Sequence, residues 1–421
     1  MDYIVLILNS AIFFAVAFFY KRRYGFGNIG VLYVMFYAIL SLIACHLYAT
    51  KTPSLYSWNN QNILCLIYMM FFVVLFSKIL MKAFSRNMMI IHPSFRVMLP
   101  VYLVIMIFSL LGIIEIVQDF SYGMIMLMTD DGYGQELYHE LNTSVHAGKS
   151  SGSVNIISVF SNITKGLAPI MFIYYLTVPK KKMVIVLGLG FSTLITFMLA
   201  ISSGSRHAIV QNLLSISASM WAFWPYFNHT VKKKITPILL SIAIIIVSGF
   251  MFITISRSNA TRDGDTVGFI ESYTSQSFLF LGSNGFDNGQ IRNGERTIPL
   301  IKSIFFDDVA RSYAEREVKF TRMKINESVF VSFIGDCVFD FGLIGGTFFL
   351  FLLYMFLNSF FKRGINSIHV DQVIIIYLII YLLNGFYSWP FSDFGGNLFF
   401  VASVLLCIYI KLFSHETYLY K

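Results

Sequence analysis

The chain has 421 residues, of which 57% are apolar and 13% are charged, whereas soluble proteins carry about 25% charged residues. The apolar residues occur in runs of about 20, the length of a bilayer-spanning helix, so the composition excludes a water-soluble fold. The net charge of +9 comes from short basic clusters between these runs, which does not fit a nucleic-acid-binding surface. The four cysteines lie at apolar positions without metal-ligand spacing, which indicates small core residues rather than metal ligands or disulfides. The sequence also has no Walker loop, dinucleotide fingerprint or HExxH motif, so we expect no metal and no cofactor.

Eleven apolar runs are long enough to cross the roughly 30 Å hydrocarbon core as helices. The sequence therefore predicts an all-α polytopic membrane protein with about eleven transmembrane helices in a single membrane domain, residues 1–421. The predicted spans are 3–20, 29–48, 62–82, 97–117, 154–178, 183–201, 208–227, 235–256, 329–360, 372–390 and 396–413.

The basic residues predict the orientation, because cytoplasmic loops accumulate Lys and Arg. Every second connection is basic, which for eleven spans places the N-terminus outside and the C-terminus in the cytoplasm. The predicted cytoplasmic clusters are Lys21–Arg23, the four cations from Lys78 to Arg96, Lys180–Lys182, Lys232–Lys234 and Lys362–Arg363.

Two segments, 118–153 and 257–328, exceed ordinary loop lengths and are predicted to be larger external loops. The second carries ten Lys or Arg residues and ten carboxylates, a balance that predicts local ion pairing rather than a simple anion-binding surface. It also contains a periodic apolar stretch that favours an amphipathic helix on the membrane surface. The apolar positions are Ile298, Leu300, Ile301, Ile304, Phe305 and Val309.

Two short stretches carry candidate phosphate-binding residues. Ser202 to His207 reads Ser-Ser-Gly-Ser-Arg-His between two predicted spans, where small residues would let a phosphate approach and Arg206 could bind it with its planar guanidinium. The alternatives are that Arg206 only anchors the helix at the interface and that His207 is an ordinary interfacial polar residue. Arg257 directly follows a predicted span, at the depth of lipid phosphates.

Three charged residues lie inside predicted spans: Lys165, Asp336 and Asp340. Charge at this depth is costly unless it is paired or functional. Lys165 and Asp340 each lie about 16 Å from the external end of their predicted span at 1.5 Å per residue. This matching depth predicts either a Lys165–Asp340 ion pair or two residues of one polar cavity.

The layout of the chain resembles the Wzy-type oligosaccharide repeat-unit polymerases, which are related to the O-antigen ligases. The likeness rests on Arg206 in its Ser-Arg turn, a long external loop before a late span, and Asn326-Glu327-Ser328 leading into Asp340 to Gly346. The ligases carry a His-Asn pair where this chain reads Asn326-Glu327.

The resemblance implies a metal-independent glycosyltransferase of GT-C-like architecture in the bacterial inner membrane. It would join undecaprenyl-pyrophosphate-linked oligosaccharide repeat units at the outer face, in contact with membrane lipids and with a chain-length regulator as a partner. Arg206 and Arg257 would hold the pyrophosphate, with His207, Arg262 and Asp340 also binding substrate. Glu327 would replace the missing His as general base.

Three other functions fit parts of the sequence. An O-antigen ligase would share the lipid substrate and much of the layout. A lipid-linked oligosaccharide flippase would use the intramembrane charges but would not need a long external loop. A secondary transporter would also use those charges, although the sequence shows none of the internal repeats common in that class.

Overall fold

The computed structural model describes most of the chain, and all structural statements below refer to these residues. It describes residues 1–50, 58–85, 89–129, 156–202, 206–237, 240, 244, 248, 266–310, 313–325, 327, 329–362, 367–392, 394–413 and 417–418. Only the backbone is described at 112, 114–129, 156–162, 165, 199–202, 206, 266–270, 313–314, 362 and 417–418.

The described chain is mainly helical. The helices are α1 Asp2–Tyr24, α2 Ile29–Thr50, α3 Ile63–Ala83, α4 Phe95–Thr129, α5 Ile156–Thr177, α6 Met183–Ser202, α7 Arg206–Phe223, α8 Thr266–Asn284, α9 Pro299–Phe305, α10 Tyr313–Lys319, α11 Ser332–Ser359, α12 Val370–Leu383 and α13 Phe394–Phe413. Short 3₁₀ turns cover Trp224–Tyr226 and Phe360–Lys362, and residues 229–237 are also helical. The strands are β1 Met89–Ile90, β2 His92–Pro93, β3 Ser367–Ile368 and β4 Thr417–Tyr418.

Five of these helices, α1, α2, α3, α11 and α13, are apolar enough and, counted end to end, long enough to cross a membrane, although α11 is broken at Gly342; α4, α5, α6 and α12 contain shorter apolar helical stretches. Buried helices of a soluble protein would be covered by polar surface, whereas here large apolar side chains are exposed along α1, α6, α11 and α13. The chain is therefore a multi-pass α-helical membrane protein. Ten of the eleven predicted spans coincide for most of their length with helical residues described above, and 235–256 lies mostly outside the described residues.

Residue contacts divide the chain into two compact units, where the sequence predicts a single domain. Unit 1 comprises Met1–Asn87, Val267–Gly364 and Ile379–Phe394, and unit 2 comprises Met88–Thr266, Ile365–Leu378 and Gly395–Lys421.

Unit 2 is a helical bundle with short strand pairs beside it. Helices α4, α5 and α6 pack on one another, and Gly190 of α6 allows close approach because a Cβ there would lie 3.3 Å from the Phe172 ring. β1 pairs with β3 in parallel and β2 pairs with β4 antiparallel.

In unit 1, α8 packs among the apolar helices. Its Phe278 ring lies 6.1 Å from Phe13 of α1 and 6.3 Å from Tyr37 of α2, measured between ring centroids. Ser275 is buried, and its hydroxyl donates to the Glu271 carbonyl of the same helix at 2.7 Å. Serines satisfied in this way can be buried without an external partner. The segment 257–328 therefore contains a helix packed on α1 and α2, and its external location stays a prediction.

Helix α11 is two helices joined at Gly342, which has φ 72° and ψ 172°. A Cβ on Gly346 would lie 2.8 Å from the carbonyl oxygen of Cys337, although nine residues of straight helix would separate the two by roughly 13 Å. The chain therefore reverses at Gly342 into a hairpin with a short arm, 332–341, and a long arm, 343–359. The prediction of one continuous span over 329–360 is wrong.

The predicted span 372–390 also ends early. Helix α12 stops at Leu383, and the following residues 384–389 are buried without being helical. The carbonyls of Gly385 and Tyr387 accept hydrogen bonds from the amides of Phe333 and Ser332, at 2.7 and 3.0 Å. The interruption thus satisfies the first free N–H groups of the short arm, as buried backbone requires.

Candidate functional site

The candidate site is a buried cluster of six charged side chains in unit 1. Its cations come from the segment between α8 and α11, and two of its carboxylates come from the short arm of the α11 hairpin. Asn293 and Gly294 both have positive φ, 54° and 83°, and the resulting turn brings Arg292 and Arg296 to the same carboxylates. The cluster consists of Arg292, Arg296, Arg316, Glu327, Asp336 and Asp340.

Arg292 lies at the centre, with only 1% of its side chain exposed. Its Nη1 lies 2.8 Å from Glu327 Oε1, and its Nη2 lies 3.0 Å from Asp336 Oδ1. Its Nε lies 2.7 Å from Asp340 Oδ1, a close ion pair whose angle is too poor for a hydrogen bond. The guanidinium therefore uses each of its three nitrogens for a different carboxylate, which the single ammonium of a lysine could not do.

Asp336 and Asp340 lie one turn apart on the short arm and tie it to two other segments. Asp336 Oδ2 accepts the backbone N–H of Trp389 at 2.7 Å, in the interruption after α12. Asp340 Oδ2 accepts the backbone N–H groups of Arg296, at 3.1 Å, and Thr297. Both carboxylates are thus engaged on both oxygens, which indicates that they hold the hairpin, the loop and the interruption together.

Glu327 is shared by all three arginines. Besides Arg292, its Oε2 lies 3.2 Å from Arg296 Nη1 and 3.1 Å from Arg316 Nε. Burial alone would raise the pKa of Glu327, but the charges of the three arginines outweigh it and lower the pKa to about 2. A carboxylate that is this acidic and this well occupied is a counter-ion, and it is a weak general base while these contacts last.

Arg296 and Arg316 form the outer edge of the cluster. Burial lowers the pKa of Arg316, the charge of Arg296 lowers it further, and Glu327 opposes both effects. Among the described residues the structure gives no acceptor to either Nη atom of Arg316 or to Nη2 of Arg296. Two guanidiniums held side by side with free donors can bind an anion through several charge-assisted hydrogen bonds.

The six charges balance, because three arginines face three carboxylates. A second ionic group adjoins them through Glu295, the residue before Arg296. Glu295 Oε1 accepts from Lys302 Nζ at 2.7 Å and from Lys319 Nζ at 2.9 Å. The ion pairing that the sequence predicts for this segment is confirmed.

The structure brings two of the predicted site residues together, Glu327 and Asp340. His207 lies on α7 and is half-buried. The backbone of Arg206 begins α7, but its side chain lies outside the described residues, as do Arg257 and Arg262. The predicted pyrophosphate-binding roles of Arg206 and Arg257 and the predicted substrate-binding role of Arg262 stay predictions.

The prediction that Lys165 and Asp340 lie at matching depth rests on a wrong assumption about the second helix. It placed Asp340 at a depth counted along one straight span, but Asp340 lies next to the reversal at Gly342. Its ionic partner is Arg292. The side chain of Lys165 lies outside the described residues, so its own partner stays undecided.

Sequence reasoning did not single out Arg292, Arg296 or Arg316, which look like any other cations of a charge-balanced segment. Two signals pointed to the cluster: the charges Asp336 and Asp340 inside a predicted span, four residues apart and so on one helix face, and the family resemblance at Glu327.

Searches of protein-family models, of curated proteins and of solved structures find no match to this chain. The resemblance described above therefore rests on the sequence motifs and the layout.

Proposed function

We propose that the protein is a metal-independent membrane glycosyltransferase that joins undecaprenyl-pyrophosphate-linked oligosaccharide repeat units into a surface polysaccharide. In this proposal it has about eleven spans and a GT-C-like architecture, and it acts at the outer face of a bacterial inner membrane. The N-terminus is external and the C-terminus cytoplasmic. A chain-length regulator is an expected partner.

The observation that carries the proposal is the outer edge of the charged cluster. Arg296 and Arg316 are almost buried, are held in place by Glu327, and keep guanidinium donors without an acceptor among the described residues. These residues belong to the same unit as the membrane-length helices α1, α2 and α3. Such a site suits a pyrophosphate on a lipid, whose charge lies near the membrane surface while its chain stays in the bilayer.

The chemistry asked of these residues is stabilisation of a leaving group. The acceptor hydroxyl attacks the anomeric carbon, the bond from that carbon to the pyrophosphate oxygen breaks, and the hydroxyl proton passes to a base. Arg296 and Arg316 would neutralise the charge that develops on the departing pyrophosphate. Glu327 could accept the proton only after an incoming anion had drawn these arginines away from it, because its pKa is otherwise about 2.

Arg316→Lys tests this site most directly, because it keeps the charge but removes the planar fork. We expect it to lose most polymerisation in the native strain while the protein remains abundant in the membrane. Arg322→Lys is the matched control, since Arg322 lies in the same segment, is exposed and has no ionic partner among the described residues. Normal glycan length in both Arg316→Lys and Arg316→Gln would remove the site from the proposal.

A lipid-linked oligosaccharide flippase is the second candidate, because broken helices beside buried charges are typical of membrane transport sites. The reversal at Gly342 and the interruption after Leu383 are such breaks. Deletion of the gene separates the functions by glycan display on a gel. Single repeat units on the surface indicate a polymerase, no surface glycan indicates a flippase, and long glycan retained on the lipid carrier indicates a ligase.

The orientation is tested separately with fused reporters. A reporter after Lys182 should be active in the cytoplasm, and one near Asn288 should be external. A cytoplasmic reporter at Asn288 would place the arginine edge on the wrong face for this reaction.

A further inference from the structure

The short helix α9 and the residue after it expose apolar side chains to the outside of the fold. Ile304 is 72% exposed and Phe305 is 73% exposed. Ile301 and Phe306 are exposed as well. A surface helix of a soluble protein would turn these side chains toward the core.

The polar residues of the same stretch point inward. The Lys302 ammonium donates to Glu295 at 2.7 Å, and the Glu295 side chain is buried. Glu295 also accepts the backbone N–H of Ala310 at 3.1 Å, which ties down the end of the exposed stretch. The polarity of α9 is therefore inverted, with charge beneath the helix and hydrocarbon outside.

The exposed stretch lies near a helix hairpin whose long arm also exposes large apolar side chains. The residue before α9, Ile298, donates its backbone N–H to the Gly294 carbonyl at 2.9 Å. A Cβ on Gly294 would lie 3.0 Å from both Ile298 and the ring of Phe341, the residue before the reversal. On the long arm after the reversal, Ile344 and Phe348 are exposed in the same way.

The apolar stretch also ends abruptly. Asp307 and Asp308 follow Phe306 directly, and the Asp308 side chain is 95% exposed. A change from large apolar side chains to exposed carboxylates within one or two residues is expected where a chain leaves the lipid interface for water.

We propose that Ile301, Ile304, Phe305 and Phe306 contact bilayer lipid, and that α9 is an interfacial helix. The inverted polarity of the helix and its position near Phe341, which precedes a long arm that also exposes apolar side chains, favour lipid over a protein partner. An interfacial helix of this kind lies with its apolar face roughly 5–10 Å into the headgroup and acyl boundary. This contact holds the ionic group of Glu295, and Arg296 next to it, close to the membrane surface. It does not depend on which reaction the protein performs.

The test is spin labelling of single introduced cysteines in the full chain, reconstituted in phosphatidylethanolamine and phosphatidylglycerol vesicles. All four native cysteines are buried, and the unsubstituted protein, treated with the same reagent, measures any background. Ile304→Cys and Phe305→Cys report on the proposed surface. Phe348→Cys on the long arm is the lipid-facing reference, and Asp308→Cys is the water-facing reference.

We expect labels at 304 and 305 to collide more often with oxygen, which is enriched in lipid, than with a water-soluble nickel chelate. The label at 348 should behave in the same way, and the label at 308 should show the opposite order. Greater access to nickel than to oxygen at both 304 and 305 would overturn the proposal. So would protection from both reagents with spin–spin broadening, since that result would place a second copy of the chain on this surface.

Discussion

Arg292→Gln is the sharpest test of how the charged cluster is built. The substitution removes the cation that contacts Glu327, Asp336 and Asp340 at 2.8, 3.0 and 2.7 Å. Glutamine is polar but shorter, ending at about the level of the arginine Nε, so the change removes the charge and the two contacts that Nη1 and Nη2 make with Glu327 and Asp336. Three cations against three carboxylates become two against three, with the excess negative charge in a buried site.

The expected loss in the free energy of unfolding follows from the number of carboxylates that Arg292 contacts. A pair of unit charges at about 4 Å contributes about 4 kcal/mol at an effective dielectric constant of about 20. Three attractive pairs would give about 12 kcal/mol, but repulsion from Arg296 and Arg316 and the desolvation of Arg292 oppose most of this. Breaking one buried ion pair costs about 3–5 kcal/mol in soluble proteins. We expect a loss of stability of at least this size for Arg292→Gln.

The assay is thermal unfolding in detergent, followed by the fraction of protein that remains monodisperse. Arg292→Gln/Asp340→Asn restores the charge balance, so it should be more stable than Arg292→Gln alone. Lys324→Gln removes the exposed ion pair with Asp287 and should unfold near the wild-type temperature, because exposed pairs contribute little. If Arg292→Gln unfolds at the same temperature as Lys324→Gln, the cluster does not hold unit 1 together and the reasoning is refuted.

Two further predictions concern the hairpin and the pH dependence of stability. Gly342→Ala should lower the free energy of unfolding by about 1–3 kcal/mol, because the φ and ψ of Gly342 suit glycine alone. Gly27→Ala is the control and should lower it less, since no atoms lie near the new methyl group. Equal thermal stability of the two variants would contradict the observed reversal. The second prediction concerns Glu327, whose pKa is lowered from 4.5 to about 2 on folding. The contribution of its ionised side chain to folding stability is therefore complete above pH 4.5 and is lost as the pH falls toward 2. The melting temperature, measured between pH 7 and pH 3, should therefore fall more steeply below pH 4.5 for the wild type than for Glu327→Gln. The same dependence on pH in both proteins would show that Glu327 is not stabilised by its arginines.

The sequence by itself determined that this is a multi-pass helical protein, because the hydrophobic content of each run is a local property that burial in lipid requires. It also predicted ion pairing in the segment before α11 and an amphipathic helix near residue 300. Both follow from composition and periodicity, which do not depend on neighbours that are distant in the chain.

Only the tertiary structure decided where the chain turns and which charges meet. An apolar hairpin with a glycine at its tip has the same hydropathy as one long span, so the reversal at Gly342 could not be read from the run 329–360. Helix α8 looked like part of a loop because its serines lower its hydropathy, yet Ser275 and Ser283 donate to backbone carbonyls of the same helix, and such serines can be buried.

The partners of the charged residues were decided in the same way. Ten cations and ten carboxylates in one segment allow many pairings, and composition does not rank them. The turn at Asn293 and Gly294 and the fold of the short arm placed Arg292 between Glu327, Asp336 and Asp340. The same contacts changed the chemical character of Glu327, since a carboxylate is a base or a counter-ion according to the charges around it, and those charges come together only in the folded chain.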